Sequence, residues 1–214
     1  MPESEPEAKR PRTRTRLKPA DRQALILAAA TEVFAEVGYQ RGRMSEVARR
    51  VGVSEPVVFQ NFGSKAAVFA AVLDHAAGQL DAALREWAGR SPSIGGWLSE
   101  LLAPGHLARV HARGTLGVLF ADAMTLTAEP VVLDAARRGN RLIAATLAEL
   151  LADGQRDGSV RPDLEPATGA WWLISLLASQ QFRFAVAPGV EGLEGELGGL
   201  TLDALLGGPG REAG

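Results

Sequence analysis

Gly52 and Pro56 constrain residues 44–65 more tightly than any other feature of this 214-residue chain. Met44, Val47, Ala48 and Val51 recur at spacings of three and four, which puts a small apolar face on a helix and leaves Glu46, Arg49 and Arg50 in solvent. Gly52 ends that helix, because glycine fits the left-handed backbone that helix C-termini commonly adopt. Ser54 is the expected N-cap of the next helix, accepting a hydrogen bond from one of its free amides. Pro56 falls in the first turn, where no intrahelical bond is lost. Val58 and Phe62, four apart, face inward, so Glu55, Val57, Gln60 and Asn61 are left on the outer side. A short, projecting, mostly uncharged helix side carried by a compact helix pair suits a DNA major groove.

Net charge is −2, which taken alone argues against a nucleic-acid partner. Its distribution reverses that reading. Residues 8–65 carry twelve Lys or Arg against five acids, whereas residues 66–214 carry eleven against seventeen. An electropositive end on an acidic body suits a DNA-reading unit joined to a unit with another partner. Residues 1–19 form a basic arm with no apolar cluster, expected to be disordered. It either enters an adjacent minor groove or remains a solvated tail.

Beyond the arm the apolar periodicity is helical throughout. Asp21 is the expected start of a first helix with Ile26, Ala30, Val33, Phe34 and Val37 as its buried stripe and Gly38 as its end. A long helix runs from Ser64 towards Gly89. Shorter segments near 97–103, 106–112 and 115–127 follow, then a long helix near 130–152, a loop at 153–163 and a last helix at 197–206. Residues 167–186 are apolar around most of a helical circumference. At that length such a helix falls short of a membrane span, so its own domain covers one side and a twin subunit is the simplest cover for the other.

In order and spacing, Phe34, Gly38-Tyr39, Val47-Ala48, Gly52-Val53-Ser54 and Phe59-Gln60-Asn61-Phe62 followed by Ser64-Lys65 resemble the TetR family of one-component transcriptional regulators. The resemblance covers residues 22–75. Three positions depart from the family pattern: Phe59 stands where Tyr is usual, Asn61 where His is frequent, and Gly42-Arg43 where Thr or Ser begins the second helix. The resemblance implies an all-α homodimer, with a helix-turn-helix DNA-binding domain over 20–65, a helical dimerisation and ligand-binding domain over 66–206, and a flexible tail over 207–214.

Glu55, Pro56, Val57 and Gln60 are the expected base-reading side chains. A carboxylate accepts from a cytosine amino group, Val and Pro touch thymine methyls, and glutamine pairs with adenine. Arg43, Phe59, Asn61 and Lys65 are the expected phosphate-side positions, Phe59 without the hydroxyl that would bond a phosphate. In the body, aromatics with sparse polar groups are how an apolar ligand pocket is lined, and equally how a helical core looks. Trp97, His106, His111, Thr115, Phe120, Met124, Trp171 and Gln180 are the candidate effector contacts. Ile143, Leu147, Leu150, Trp172, Leu177 and Phe184 are the candidate dimer contacts.

The chain has three histidines, and His106 and His111 diverge on a helix, so no metal is expected. Catalytic spacings and phosphate loops are missing, so neither a cofactor nor an enzyme is expected. Without an apolar signal region at the N-terminus, the expected location is cytoplasmic. The resulting expectation is a repressor released from a palindromic operator by a small apolar or amphipathic effector. The alternative is a helical DNA-binding protein without an effector, acting architecturally or through a protein partner.

Overall fold

A computed structural model of the chain describes residues 18–106, 116–123, 125–126, 128–186, 189 and 191–207. Among them the helices are α1 (Pro19–Arg41), α2 (Met44–Val51), α3 (Glu55–Phe62), α4 (Lys65–Arg90), α5 (Ile94–Leu101), α6 (Leu116–Ala123), α7 (Pro130–Arg156), α8 (Pro166–Ala178), α9 (Gln180–Val186) and α10 (Glu191–Leu206). The fold is all-α, with an N-terminal helix-turn-helix unit and a C-terminal helical body. No single described helix is long and apolar enough to cross a membrane. The arm at 1–17, like His111, Thr115 and Met124, lies outside the described residues.

Prolines set several helix starts. α1 begins at Pro19, whose missing amide hydrogen costs nothing there, and Lys18 takes the cap position without a side-chain bond. Asp21, the expected start, lies two residues inside the helix, in the first turn, where its charge favours the positive end. Near its other end α1 kinks at Gly38, which adopts φ 76° and ψ 171°. Only glycine takes that conformation readily. Gly52 adopts the left-handed conformation at φ 75°, ψ 33° and closes α2 as expected. Ser54 stands in the cap position of α3, but its hydroxyl accepts nothing. Pro56 leaves the second position without a donor, and the Val57 amide is taken by the Ser54 carbonyl at 3.0 Å. Ser64 does cap α4, its hydroxyl accepting from the Ala67 amide at 3.1 Å.

Two apolar clusters organise the packing. The first gathers α1 to α3 and α4 as far as Ala76, together with Leu119, Ala123, Leu126, Val132, Ala135 and Ala136 from farther along the chain. The second joins Leu84 and Ala88 of α4 to α5, the middle of α7, Val160, Ala170 and Leu173 of α8, and Leu205. α4 therefore runs through both cores. It packs most extensively on α7, and polar clamps reinforce that contact. Arg138 reaches Asp74 at 2.8 Å. Buried Thr146 donates to Asp81 at 2.5 Å, and Arg85 joins Asp81 at 2.8 Å to Glu149 at 2.7 Å.

Several element boundaries differ from the sequence reading. α7 runs on to Arg156, beyond the expected end at 152, and the following turn is then put to use. Asp157 and Ser159 accept from the Ile94 and Gly95 amides at 3.1 and 2.8 Å, satisfying donors at the start of α5. The single helix expected over 167–186 breaks at Ser179. Its hydroxyl donates to the Ser175 carbonyl at 2.7 Å, and the Arg183 guanidinium donates to that of Leu176 at 3.1 Å, so α8 can end there without stranded acceptors. The last helix begins at Glu191, earlier than the expected 197.

Candidate nucleic-acid interface

Val58 is fully buried and Phe62 packs against the first core, which anchors α3 by one side. Positions one turn apart then share the opposite side. Glu55, Pro56, Phe59 and Gln60 are exposed, while Val57 and Asn61 are half-buried at its edges. Asn61 turns back on its own helix, its amide donating to the Val57 carbonyl at 2.6 Å. Gly63 N–H closes α3 on the Phe59 carbonyl at 2.7 Å, so the helix ends before a third turn can form.

The cations around α3 are less free than their number suggests. Arg49 pairs with Glu46 at 2.6 Å. Arg50 reaches Glu36 at 2.6 Å, Glu46 at 3.0 Å and Glu32 at 3.3 Å, tying α2 to α1. Hydrogen bonds from Arg49 and then Arg50 pull the Glu46 carboxyl from its ordinary 4.5 to about 2. The charge count that marked this end of the chain thus includes two arginines already compensated within the head. Lys65 donates to the Gln40 carbonyl at 3.1 Å and lies 4.6 Å over the Tyr39 ring. Burial pushes its pKa down, against the opposing charge of Asp122. It clamps the start of α4 to the end of α1. Arg43 stands exposed immediately ahead of α2.

A pH dependence follows from Glu46. A carboxyl with a depressed folded-state pKa contributes stability that is full above about pH 4.5 and lost as pH falls towards 2. Glutamine mimics the protonated form. The difference in urea midpoint between wild type and Glu46→Gln should therefore be largest near neutrality and shrink to nothing across that window. A difference that stays constant from neutrality to pH 2 would mean the arginine contacts do not form.

The proposed effector contacts fall in separate neighbourhoods among the described residues. Trp97 is fully enclosed in the second core, its indole N–H without a partner. His106 packs at a tilt against Trp87 at 4.8 Å, and Trp87 meets Trp97 edge-on at 5.9 Å. Phe120 packs against the first core beside Gly139. Gln180 is 1% exposed and donates to Glu194, which also pairs with Arg183 at 2.6 Å. Trp171 faces an open groove of about 520 Å³ shared with Thr168, Trp172, Ser175, Leu176 and Ser179. These residues do not converge on one cavity, because the helices carrying them pack into two different cores.

Among the candidate dimer contacts, Trp172 is 50% exposed and Leu177 half-buried. Leu147 and Leu150 are a correction: both are buried in the subunit's own second core and have no surface left for a partner. Ile143 packs partly against the same core, and the Phe184 side chain lies outside the described set. The open side of α7 carries Asp134, Arg137, Arg138, Arg141 and Glu149, with Val131 and Leu142 exposed among them. One contact had escaped the sequence reading. Asp122, the only charged residue of α6, accepts the backbone amide of Tyr39. Its one available signal was a lone acid in an otherwise apolar helix.

Comparison with known proteins agrees with this geometry. The family described as "Bacterial regulatory proteins, tetR family" matches residues 26–72. Over 71 residues the chain is 41% identical to the HTH-type transcriptional activator FasR of Mycolicibacterium smegmatis, covering 33% of this chain and 32% of that protein. The chain thus spans about a third of the length of that curated relative. It is 27% identical over 172 residues to the A-factor receptor protein of Streptomyces griseus, covering 80% of this chain and 58% of that protein. The fold is similar to that of the reduced form of E. coli NemR, with TM-score 0.70 at 19% identity over 88% of this chain and 99% of that one. With a helix-turn-helix in which α3 is anchored by Val58 and open on its other side, residues 26–72 form a DNA-binding domain of the TetR family of transcriptional regulators.

Proposed function

We propose that the protein is a cytoplasmic homodimeric repressor that reads a near-palindromic operator through α3 and leaves it when the body binds a small apolar or amphipathic effector. The observation that carries the reading is the outer face of α3, where Glu55, Pro56 and Gln60 are exposed with Val57 beside them. Two such helices related by a twofold axis meet successive major grooves only at a separation of roughly 34 Å. Release needs an effector with different affinities for the arrangement that fits and the one that does not. A relative named as a receptor, similar over most of this chain, supports a ligand-binding role for the body. Bound across a promoter, a dimer excludes polymerase sterically. FasR is named an activator, and its similarity is confined to a head-sized stretch that reads sequence without setting the sign of regulation.

Base contacts and phosphate contacts separate experimentally. Gln60→Ala and Val57→Ala should alter sequence preference, costing ~1–3 kcal/mol at one base pair. Arg43→Ala should weaken binding to every sequence alike and lower the salt slope by about one unit. Lys65→Ala should do the same and also destabilise the head, since its ammonium bonds the Gln40 carbonyl. Titrations over a panel of duplexes at several salt concentrations read these effects. An unchanged base preference in Gln60→Ala would refute the assigned face of α3. In vitro transcription from a promoter carrying the selected duplex tests the sign, and activation there would replace repression.

A further inference from the structure

We propose that Asp122 is a positioning residue for the DNA-reading head, holding the break at Gly38-Tyr39 and so fixing the direction in which α1 delivers α2 and α3. At the break the helical ladder of α1 is interrupted, and the Tyr39 N–H needs an acceptor from elsewhere. The Asp122 carboxylate supplies it from 83 residues away in the chain. A side chain on Gly38 would meet the same carboxylate oxygen at 3.3 Å, which places Asp122 directly against the break. Tyr39 is held at its other end as well, its hydroxyl 3.4 Å from a Glu129 oxygen. Lys65 covers the ring between them. Leu119 and Ala123, flanking Asp122 on α6, are buried in the head's own core, so the carboxylate is delivered by a packed surface.

The neighbouring route from body to head is more constrained. α4 enters the head too, but Asp74, Asp81 and Arg85 tie it to Arg138, Thr146 and Glu149 of α7. Among the described residues α6 packs mainly on α1, through buried Leu119 and Ala123, and Asp122 adds the polar contact at the break. Displacing it frees the Tyr39 amide, and the φ and ψ of Gly38, which has no Cβ, can then change at little cost. The recognition helix turns with them. This rests on the proposed reading of the body as the sensing unit; the contact itself is independent of that reading.

The test uses the full chain with Asp122→Ala and Asp122→Asn. Amide hydrogen exchange at Tyr39 reports the contact. Head position is read from the distance between spin labels on Ser45→Cys of α2, beyond the break, and Ala145→Cys, both exposed sites in a chain that has no cysteine, diluted with unlabelled protein. Asp122→Ala should speed Tyr39 exchange by about tenfold or more, broaden the label distance, and weaken binding to a duplex selected by the wild type from a randomised library by about tenfold. Asp122→Asn, whose amide oxygen accepts the same N–H, should restore all three. Unchanged exchange in Asp122→Ala overturns the proposal, and so does faster exchange with an unchanged label distance. If Asp122→Ala fails to fold, Asp122→Asn decides: loss of Tyr39 protection or a broadened distance in that variant also overturns it. Failure of the wild type to select any duplex would instead count against the proposed operator-binding function, while exchange and label distance still test the role of Asp122.

Discussion

Trp171→Glu should abolish the dimer and tight operator binding together. Trp171 and Trp172 are 48% and 50% exposed, Phe182 of α9 is 66% exposed, and Leu176 lines the groove between the tryptophans and Ser179. Gly169, Ala170 and Leu173, on the inner side of α8, are already buried. This matches a helix made for two neighbours, one its own subunit and one a twin. At a twofold contact each substitution appears twice, and an unpaired carboxylate buried among aromatics costs several kcal/mol. The dimer dissociation constant should therefore rise by about a hundredfold or more. Sedimentation at micromolar concentration reads it directly. Leu142→Glu, on the mostly charged open side of α7, should leave the dimer intact. The reverse pattern would restore α7 as the interface, and an equally dimeric Trp171→Glu would remove α8 from it.

Phe34→Ala should cost the head ~3–5 kcal/mol, a large fraction of the stability of an ordinary domain. Phe34 is fully buried, edge-on to Phe69 at 4.8 Å and stacked with Tyr39 at 6.1 Å. A Cβ on Gly42 would come within 2.6 Å of its ring, so the chain passes directly over it. Truncation opens a cavity under the segment that links α1 to α2, and three helices cannot all collapse into it. The body keeps its own core around Trp97, Leu98 and Leu151. Urea unfolding followed by hydrogen exchange should show the loss at residues of α1 to α3 first, with DNA binding disappearing before the body unfolds. A loss below about 1 kcal/mol would mean the aromatic trio is not the anchor of the head.

The head was legible because its determinants are local. Gly52 and Val58 act through their own backbone or their own turn, and the structure shows the expected left-handed closure and buried anchor. Ser54 failed for an equally local reason: of the two amides its hydroxyl could serve, Pro56 removes one, as the sequence shows, and the Ser54 carbonyl takes the other, that of Val57. Periodicity likewise identified α4, α7 and the apolar α8, since a helix displays its buried stripe at fixed spacing.

What periodicity does not carry is the neighbour on the other side of the stripe. Leu147 and Trp172 look alike as apolar helix residues, yet one is buried in the subunit's own core and the other is half exposed. Arg49 and Arg50 read as surface charge until Glu32 and Glu36 of α1 arrive beside Arg50, joining the Glu46 that both share. Asp122 gives no pattern that points 83 residues back to the Tyr39 amide. The sequence by itself determined the helices of the head, the long α4 and α7, the turn between α2 and α3 and the buried side of α3, because these depend on residues within a turn or two of one another. Tertiary structure alone decided which apolar faces are already used, which charges are compensated and where the body grips the head, because each depends on which distant segment packing brings into reach.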